Sequence, residues 1–240
     1  SVLIETMRRE GFEMSVGRPE VVQRIVDGVI EEPYEAVVVD CEEQHQGSVM
    51  EALGLRKGDL KNMVPDGKGR VRLDYIIPAR GLIGFRSEFL TMTSGTGIIT
   101  SIFDHYGQVK VGEVQSRTNG VLISNVKGKT LAYALFNLQG RGRLMTDANM
   151  DVYEGQVVGI HSRGNDLTVN PTKAKQLTNV RASGTDEATV LSPPIRYTLE
   201  QALEFIEDDE LVEVTPESIR VRKKFLLEHE RKRAARPAKV

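Results

Sequence analysis

The side chains that could do chemistry are few, and none belongs to a complete set. The nearest approach to a nucleotide motif is Gly128-Lys129-Thr130. A phosphate loop needs a glycine five residues before that Gly-Lys pair, and the residue there is Ile123, inside an apolar run. Without it the backbone cannot wrap the phosphates, so a turn is the better reading. Asp66-Gly67-Lys68-Gly69 reads as a turn for the same kind of reason. The histidines, His45, His105, His161 and His229, are scattered, and the single cysteine, Cys41, has no cysteine partner. No second ligand stands at helical spacing from any of them, so no metal site is expected. Cys41 and His45 are the right types for a nucleophile and its base. A lone cysteine in a β-branched run is more simply a small buried hydrophobe. The acid pairs Glu42-Glu43 and Asp208-Asp209 fall at the ends of elements, where solvation accounts for them better than acid–base work. No catalytic residue is assigned.

What remains is the placement of cations. The formal net charge is −2, so the whole chain offers no global attraction to a polyanion. Beyond residue 120, however, lysines and arginines gather in loops. Lys127 and Lys129 flank a turn, and Arg141 and Arg143 sit in Gln139-Gly140-Arg141-Gly142-Arg143. Arg163, Lys173, Lys175 and Arg181 lie in a stretch over 163–187 that is poor in large apolar residues and reads as one long loop. The tail carries Arg222, Lys223, Lys224, Arg231, Lys232 and Arg233, with Arg236 and Lys239 beyond. Cationic loops held on a rigid scaffold are a common way to reach phosphate backbones. A solvated charge run is the alternative, and for the tail alone the two readings weigh alike. Aromatics are sparse in this half: Tyr133, Phe136, Tyr153, Tyr197 and Phe225. That favours backbone and shape contacts over base stacking.

The elements that must position these cations follow from periodicity. Residues 34–42 are β-branched, Gln46–Leu55 carries Val49, Met50 and Leu53 on one helical stripe, and 60–64 is a short strand before a glycine-rich turn. Residues 70–77 alternate, 81–92 return to helical spacing, and 97–103 are again strand-like. Strand, helix, strand, strand, helix, strand is the order of a split β-α-β, ferredoxin-like unit in an α+β protein. Before it, residues 1–9 read as a helix stopped at Gly11, with strands over 12–16 and 21–26 about Gly17-Arg18-Pro19. Residues 29–33 read as a linker, because Pro33 breaks the pattern. The chain opens on Ser1 and is helical at once, which reads as the interior of a longer protein rather than a processed terminus.

After the central unit the signals weaken. Residues 121–125 and 129–135 suggest a hairpin, although 134–138 also fit a short helix; 150–162 suggest one strand or two, broken at Glu154-Gly155; 188–191 suggest another. Thr198-Leu199-Glu200-Gln201 is a capping box opening a helix to about Ile206. Short strands at 211–214 and 218–221 follow. One cysteine suits a reducing cytoplasm, and no run approaches a membrane span, so a membrane is not an expected partner.

Arg80-Gly81-Leu82-Ile83-Gly84-Phe85, then Leu90 to Gly97 (Leu-Thr-Met-Thr-Ser-Gly-Thr-Gly), together with Glu43-Gln44-His45-Gln46-Gly47-Ser48-Val49, resemble the late ferredoxin-like domain of translational GTPases of the elongation factor G type. The BipA/TypA branch is the nearest, and the resemblance covers essentially the whole chain. It implies the tail of a preceding ferredoxin-like domain over 1–31, a ferredoxin-like domain over 32–110, and a branch-specific, mostly β C-terminal domain over 111–240. It also implies a longer protein whose GTP- and Mg²⁺-binding domain is not in this chain, and a role in ribosome assembly and growth under stress. The expected partner is the ribosome, through ribosomal RNA, with tRNA as the alternative RNA partner and DNA not expected. A rival reading makes the ferredoxin-like unit a regulatory or protein-interaction module, with Gly81, Gly84, Gly95 and Gly97 lining a small-ligand pocket. Close helix–sheet packing and turns are the plainer explanation of those glycines.

Overall fold

The computed structural model describes residues 2–112, 117–174 and 190–236. The chain divides into two compact units, one of Ser1–Arg18 with Arg117–Val240, the other of Pro19–Ser116. The first helix, α1 (Val2–Arg9), ends as the sequence predicts. Gly11 adopts a positive φ of 94°, Phe12 N–H donates to the Met7 carbonyl, and Gly11 N–H donates to Arg8. That pair of bonds satisfies carbonyls the helix leaves open. A short strand, β1 (Met14–Val16), follows.

The second unit opens with a hairpin of β2 (Arg24–Val26) and β3 (Val29–Glu42). Its two-residue turn, Asp27-Gly28, has φ of 51° and 81°, the doubly left-handed geometry that matches strand twist. Residues 29–33 are therefore strand, not linker. Pro33 is tolerated because it falls between the register of β2, which stops at Glu31, and that of β5 (Arg70–Pro78), which starts at Tyr34; the ladder with β6 (Ile98–Gln108) is irregular close to it. The remaining elements are α2 (Gln46–Leu55), β4 (Asp59–Pro65), β5 (Arg70–Pro78), α3 (Ala79–Leu82), α4 (Phe85–Met92) and β6 (Ile98–Gln108). Strand order β6-β3-β5-β4, all antiparallel, is that of the split β-α-β unit. Alternate residues Val37, Val39 and Cys41 of β3 and Leu73, Tyr75 and Ile77 of β5 face Val49 and Leu53 of α2 and Phe85 and Phe89 of α4. The helix read over 81–92 is broken at Gly84, whose φ of 74° ends one turn and begins α4.

The first unit continues through β7 (Val121–Ser124), β8 (Gly128–Lys129), α5 (Ala132–Gln139), β9 (Gly142–Leu144), β10 (Asp151–Val152), β11 (Val157–His161), β12 (Leu167–Val169), α6 (Leu199–Phe205), β13 (Glu210–Val214), β14 (Ile219–Lys223) and α7 (Glu228–Ala234). A four-stranded sheet has the order β12-β7-β11-β9, a three-stranded sheet the order β1-β13-β14, and β8 pairs with β10. Both faces of β7 are covered. Val121 and Ile123 join a core with α6, β13 and β14, while Leu122 joins Leu135, Leu138, Leu144 and Val158. A strand buried on both faces reads as a continuous apolar run, which is what Val-Leu-Ile is.

The opening elements divide between the two units: β1 extends the β13–β14 sheet, Ile4 and Met14 pack on its core, and β2 belongs to the other unit. Four expectations for the rest of the first unit are corrected. The 121–135 hairpin does not form. β7 pairs with β11 and β12, and the Leu135/Leu138 spacing is taken up by α5, the helical alternative. The 163–187 loop is interrupted by β12, whose parallel pairing with β7 buries Val169. The basic tail is partly helical, as α7, with acids Glu228 and Glu230 in the first turn and cations in the last, the order the helix dipole favours. The strand read at 188–191 lies partly outside the described residues, and Val190 and Leu191 are not in a strand.

Candidate nucleic-acid interface

The four-stranded sheet gathers the loop cations at its two ends. At one end, Gly120 N–H donates to the Arg163 carbonyl and Ser162 N–H donates to the Arg141 carbonyl. The turn 162–166 is thereby held against the β9 entry, bringing Arg141 and Arg163 to one edge. Arg143 follows within β9, opposite Ile160. The approach is so close that a Cβ on Gly120 would lie 2.2 Å from the Asn165 carbonyl group and one on Gly142 would lie 1.9 Å from the Ile160 oxygen. Only glycine fits either place.

At the other end, beyond Ser124, Gly128 lies against Thr172, at 3.4 Å from a Cβ built on the glycine, and Leu131 N–H donates to the Pro171 carbonyl. Lys127, Lys129 and Lys173 flank these contacts, so they form a second group. All six of these cations are exposed and have no ion pair among the described residues. Lys175 and Arg181 lie outside the described residues.

The tail behaves differently. Arg222 sits 4.0 Å from Glu213 and donates to the Ser15 hydroxyl and the Lys223 carbonyl. Arg231 donates to the Phe225 and Leu226 carbonyls, and Lys232 pairs with Glu228 at 2.7 Å. Lys224 and Arg233 are exposed. Lys223 is a correction: it is 2% exposed, and its Nζ lies 2.6 Å from Asp166, 2.8 Å from Asp209 and 2.9 Å from Glu210. It cannot touch a phosphate. Burial opposes the charge on Lys223, but the three carboxylates outweigh it and raise the lysine pKa.

This buried ionic cluster is a site the sequence reading missed. Arg117 forms a bidentate pair with Glu210, 3.0 Å on each arm, and its guanidinium lies 4.3 Å from the Phe205 ring centre. Burial would raise the Glu210 pKa, yet Arg117 and Lys223 together hold it below the ordinary value. The signal was available. Glu210, Val212 and Val214 alternate on the buried face of β13, and Lys223 shares the buried face of β14 with Val221, so period two places both charges inward. Asp209, one of an acid pair otherwise explained only as a turn, is a partner of Lys223, and Asp208 pairs with Arg18 at 3.3 Å.

The rejected chemistry can be placed too. Thr130, the last residue of the Gly-Lys-Thr triplet, is fully buried and its hydroxyl donates to the Asp147 carbonyl, while Gly128 and Lys129 pair with β10. These residues do not fit a nucleotide phosphate. Cys41 is fully buried, and burial raises its thiol pKa, which disfavours the thiolate a nucleophile needs. Among the described residues there is no cluster of His, Cys, Asp and Glu that could hold a metal ion and no helix long and apolar enough to cross a membrane. The glycines of the rival reading pack rather than line a pocket. A Cβ on Gly81 would lie 2.6 Å from the Arg56 carbonyl oxygen, and one on Gly97 would lie 2.4 Å from the Phe89 ring. Gly84 and Gly95 take positive φ at turns.

Residues 119–228 match the family described as the TypA/BipA C-terminal domain, and residues 29–117 match the one described as the elongation factor G C-terminus. Over its whole length the chain is 70% identical to the large ribosomal subunit assembly factor BipA of Escherichia coli K12. The chain carries the TypA/BipA C-terminal domain. The BipA of Haemophilus influenzae is 67% identical over 98% of this chain, and that of Buchnera aphidicola is 58% identical over all of it. The chain spans about 39% of the length of the Escherichia coli relative and 38% of that from Haemophilus influenzae. A solved structure from Thermus thermophilus superposes on 34% of this chain and 12% of its own, with a TM-score of 0.33 and 25% identity. The two family matches meet where the second compact unit gives way to the first, at residues 116–119.

Proposed function

We propose that this chain is the part of a TypA/BipA-type ribosome assembly factor that docks on the large ribosomal subunit by gripping ribosomal RNA. The observation that carries the reading is the arrangement of six exposed cations, without ion pairs among the described residues, at the two ends of one sheet: Lys127, Lys129 and Lys173 at one, Arg141, Arg143 and Arg163 at the other. The curated relatives are named for assembly of the large subunit, and ribosomal RNA is the polyanion such a factor meets. The ferredoxin-like unit holds a core of its own. GTP and Mg²⁺, which the family implies for a longer protein, are no part of the work of these residues.

Contacts of this kind release counterions, so affinity falls with salt. The test is co-sedimentation of the chain with purified large ribosomal subunits at about 50 and 200 mM salt, where six phosphate contacts lower affinity on the order of 10³-fold. Binding that is indifferent to salt would refute the reading. Binding to a protein-depleted subunit as strong as to the intact one would support it further.

A further inference from the structure

We infer that Lys223, buried and out of reach of any phosphate, is a positioning residue that sets the Arg141–Arg163 edge through Asp166. The inference rests on the docking reading above and adds to it the device that holds one of the two cation groups in place.

The argument is one of contacts and charge. Lys223 Nζ stands within 2.9 Å of three carboxylates, and the remaining cation of the cluster, Arg117, is committed to Glu210 and to the Phe205 and Asn119 carbonyls. Three acids therefore face two bases. Asp166 is the member on a surface turn, with a side chain 37% exposed. Its other oxygen accepts from Val121 N–H at 2.9 Å, so a single carboxylate ties the turn 162–166 both to β7 and to β14. On the far side of that turn, Gly120 N–H holds the Arg163 carbonyl, the His161 ring Nδ1 lies 2.6 Å from the Asn165 carbonyl, and Ser162 N–H holds the Arg141 carbonyl. If Lys223 loses its charge, Asp209, Glu210 and Asp166, each within 2.9 Å of its Nζ, repel one another across the space the ammonium had bridged. Asp166, the one with solvent on one side, moves out and takes the turn with it. Arg163 then has no fixed origin, and Arg141 loses the neighbour its backbone is bonded to. Phosphate contacts depend on such placement, because ordering a free turn on binding costs affinity.

The experiment compares Lys223→Met and Asp166→Asn with Arg141→Gln/Arg163→Gln, singly and combined. Asp166→Asn keeps an oxygen for Val121 N–H, so it remains informative should the buried substitution fail to fold. Binding of the full chain to large ribosomal subunits is measured across salt. Each phosphate that is no longer neutralised shrinks the change in affinity between about 50 and 200 mM salt by roughly 3.5-fold. Asp166→Asn is expected to give about one such reduction, although removing a negative charge would by itself strengthen binding to RNA. In the Arg141→Gln/Arg163→Gln background Asp166→Asn is expected to change binding no further, while lowering the melting temperature equally in both backgrounds. A merely structural role would move the melting temperature and leave that salt dependence alone. An unchanged salt dependence in Asp166→Asn, with a reduced one in Arg141→Gln/Arg163→Gln, overturns the inference and leaves the docking reading standing. Equal losses of binding from Asp166→Asn in both backgrounds also overturn it. An unchanged salt dependence in Arg141→Gln/Arg163→Gln removes this edge from the docking surface, and the inference with it.

Discussion

Neutralising Lys127, Lys129 and Lys173 together, each to Gln, tests the other end of the sheet. The three residues are exposed, without ion pairs among the described residues, and drawn to one place by the Gly128–Thr172 contact and the Leu131–Pro171 backbone bond. Glutamine keeps most of each aliphatic stem and removes only the charge. The substitutions break no ladder, since Lys129 pairs with Asp151 through its backbone and Lys127 lies in a turn. Stability should stay within about 0.5 kcal/mol for each. If each lysine neutralises one phosphate, the slope of log affinity against log salt falls by about 0.9 per residue, or roughly 2.7 for the three. Between about 50 and 200 mM salt the spread in affinity then shrinks by roughly 40-fold. Fluorescence anisotropy of labelled chain titrated with large ribosomal subunits reads this directly. The control is Lys232→Gln, whose charge is already matched by Glu228 at 2.7 Å and which should change the slope by much less. A triple variant that melts normally and keeps the full slope would refute the assignment of this end to the interface. So would an equal effect from Lys232→Gln.

Three further outcomes are expected of the fold. Arg80→Met should destabilise the second unit by about 3 kcal/mol in urea unfolding, because Glu32 is fully buried and its carboxylate, 2.6 Å from Arg80, would be left unpaired; Glu32→Leu added to Arg80→Met should recover much of the loss. Thr198→Ala removes the hydroxyl half of the capping box on α6, whose apolar face packs in the first unit's core, and should lower the urea midpoint by the equivalent of about 1 kcal/mol. The stability of the first unit should fall as pH drops below the ordinary glutamate value of 4.5. Glu210 has a folded pKa below its unfolded one, so its contribution is complete above the unfolded value and is lost as pH falls through the folded one. Glu207, raised chiefly by burial, runs the other way and offsets part of the loss. Thermal melts at a series of acidic pH values check the sign. A melting temperature that rises on acidification would contradict it.

The legibility of this chain follows from how local its determinants are. In the second unit the central strands β3 and β5 show alternation, α2 its stripe and the β4–β5 turn its Asx residue: Asp66 accepts from Lys68 and Arg70 N–H just where the sequence puts a turn. The family motif lies in the same stretch, so pattern and resemblance reinforce each other. In the first unit the deciding partners are distant. β1 finds β13 some two hundred residues away, and β7 takes β12 and β11 rather than the nearer β8. No short window carries that information, and a two-residue strand such as β8 has no period to read. The cations illustrate the same point at single-residue scale. Lys223 and Lys224 are neighbours of one type in one basic run, yet one is locked among three carboxylates and the other is exposed. Composition treats them as equal members of a patch. The strand period separates them, because Lys223 shares parity with Val221 and therefore the buried face. A basic run that enters a strand should thus be divided by parity before its charges are counted toward a polyanion. The inward members go to fixing the scaffold, and the outward members are what a phosphate can meet.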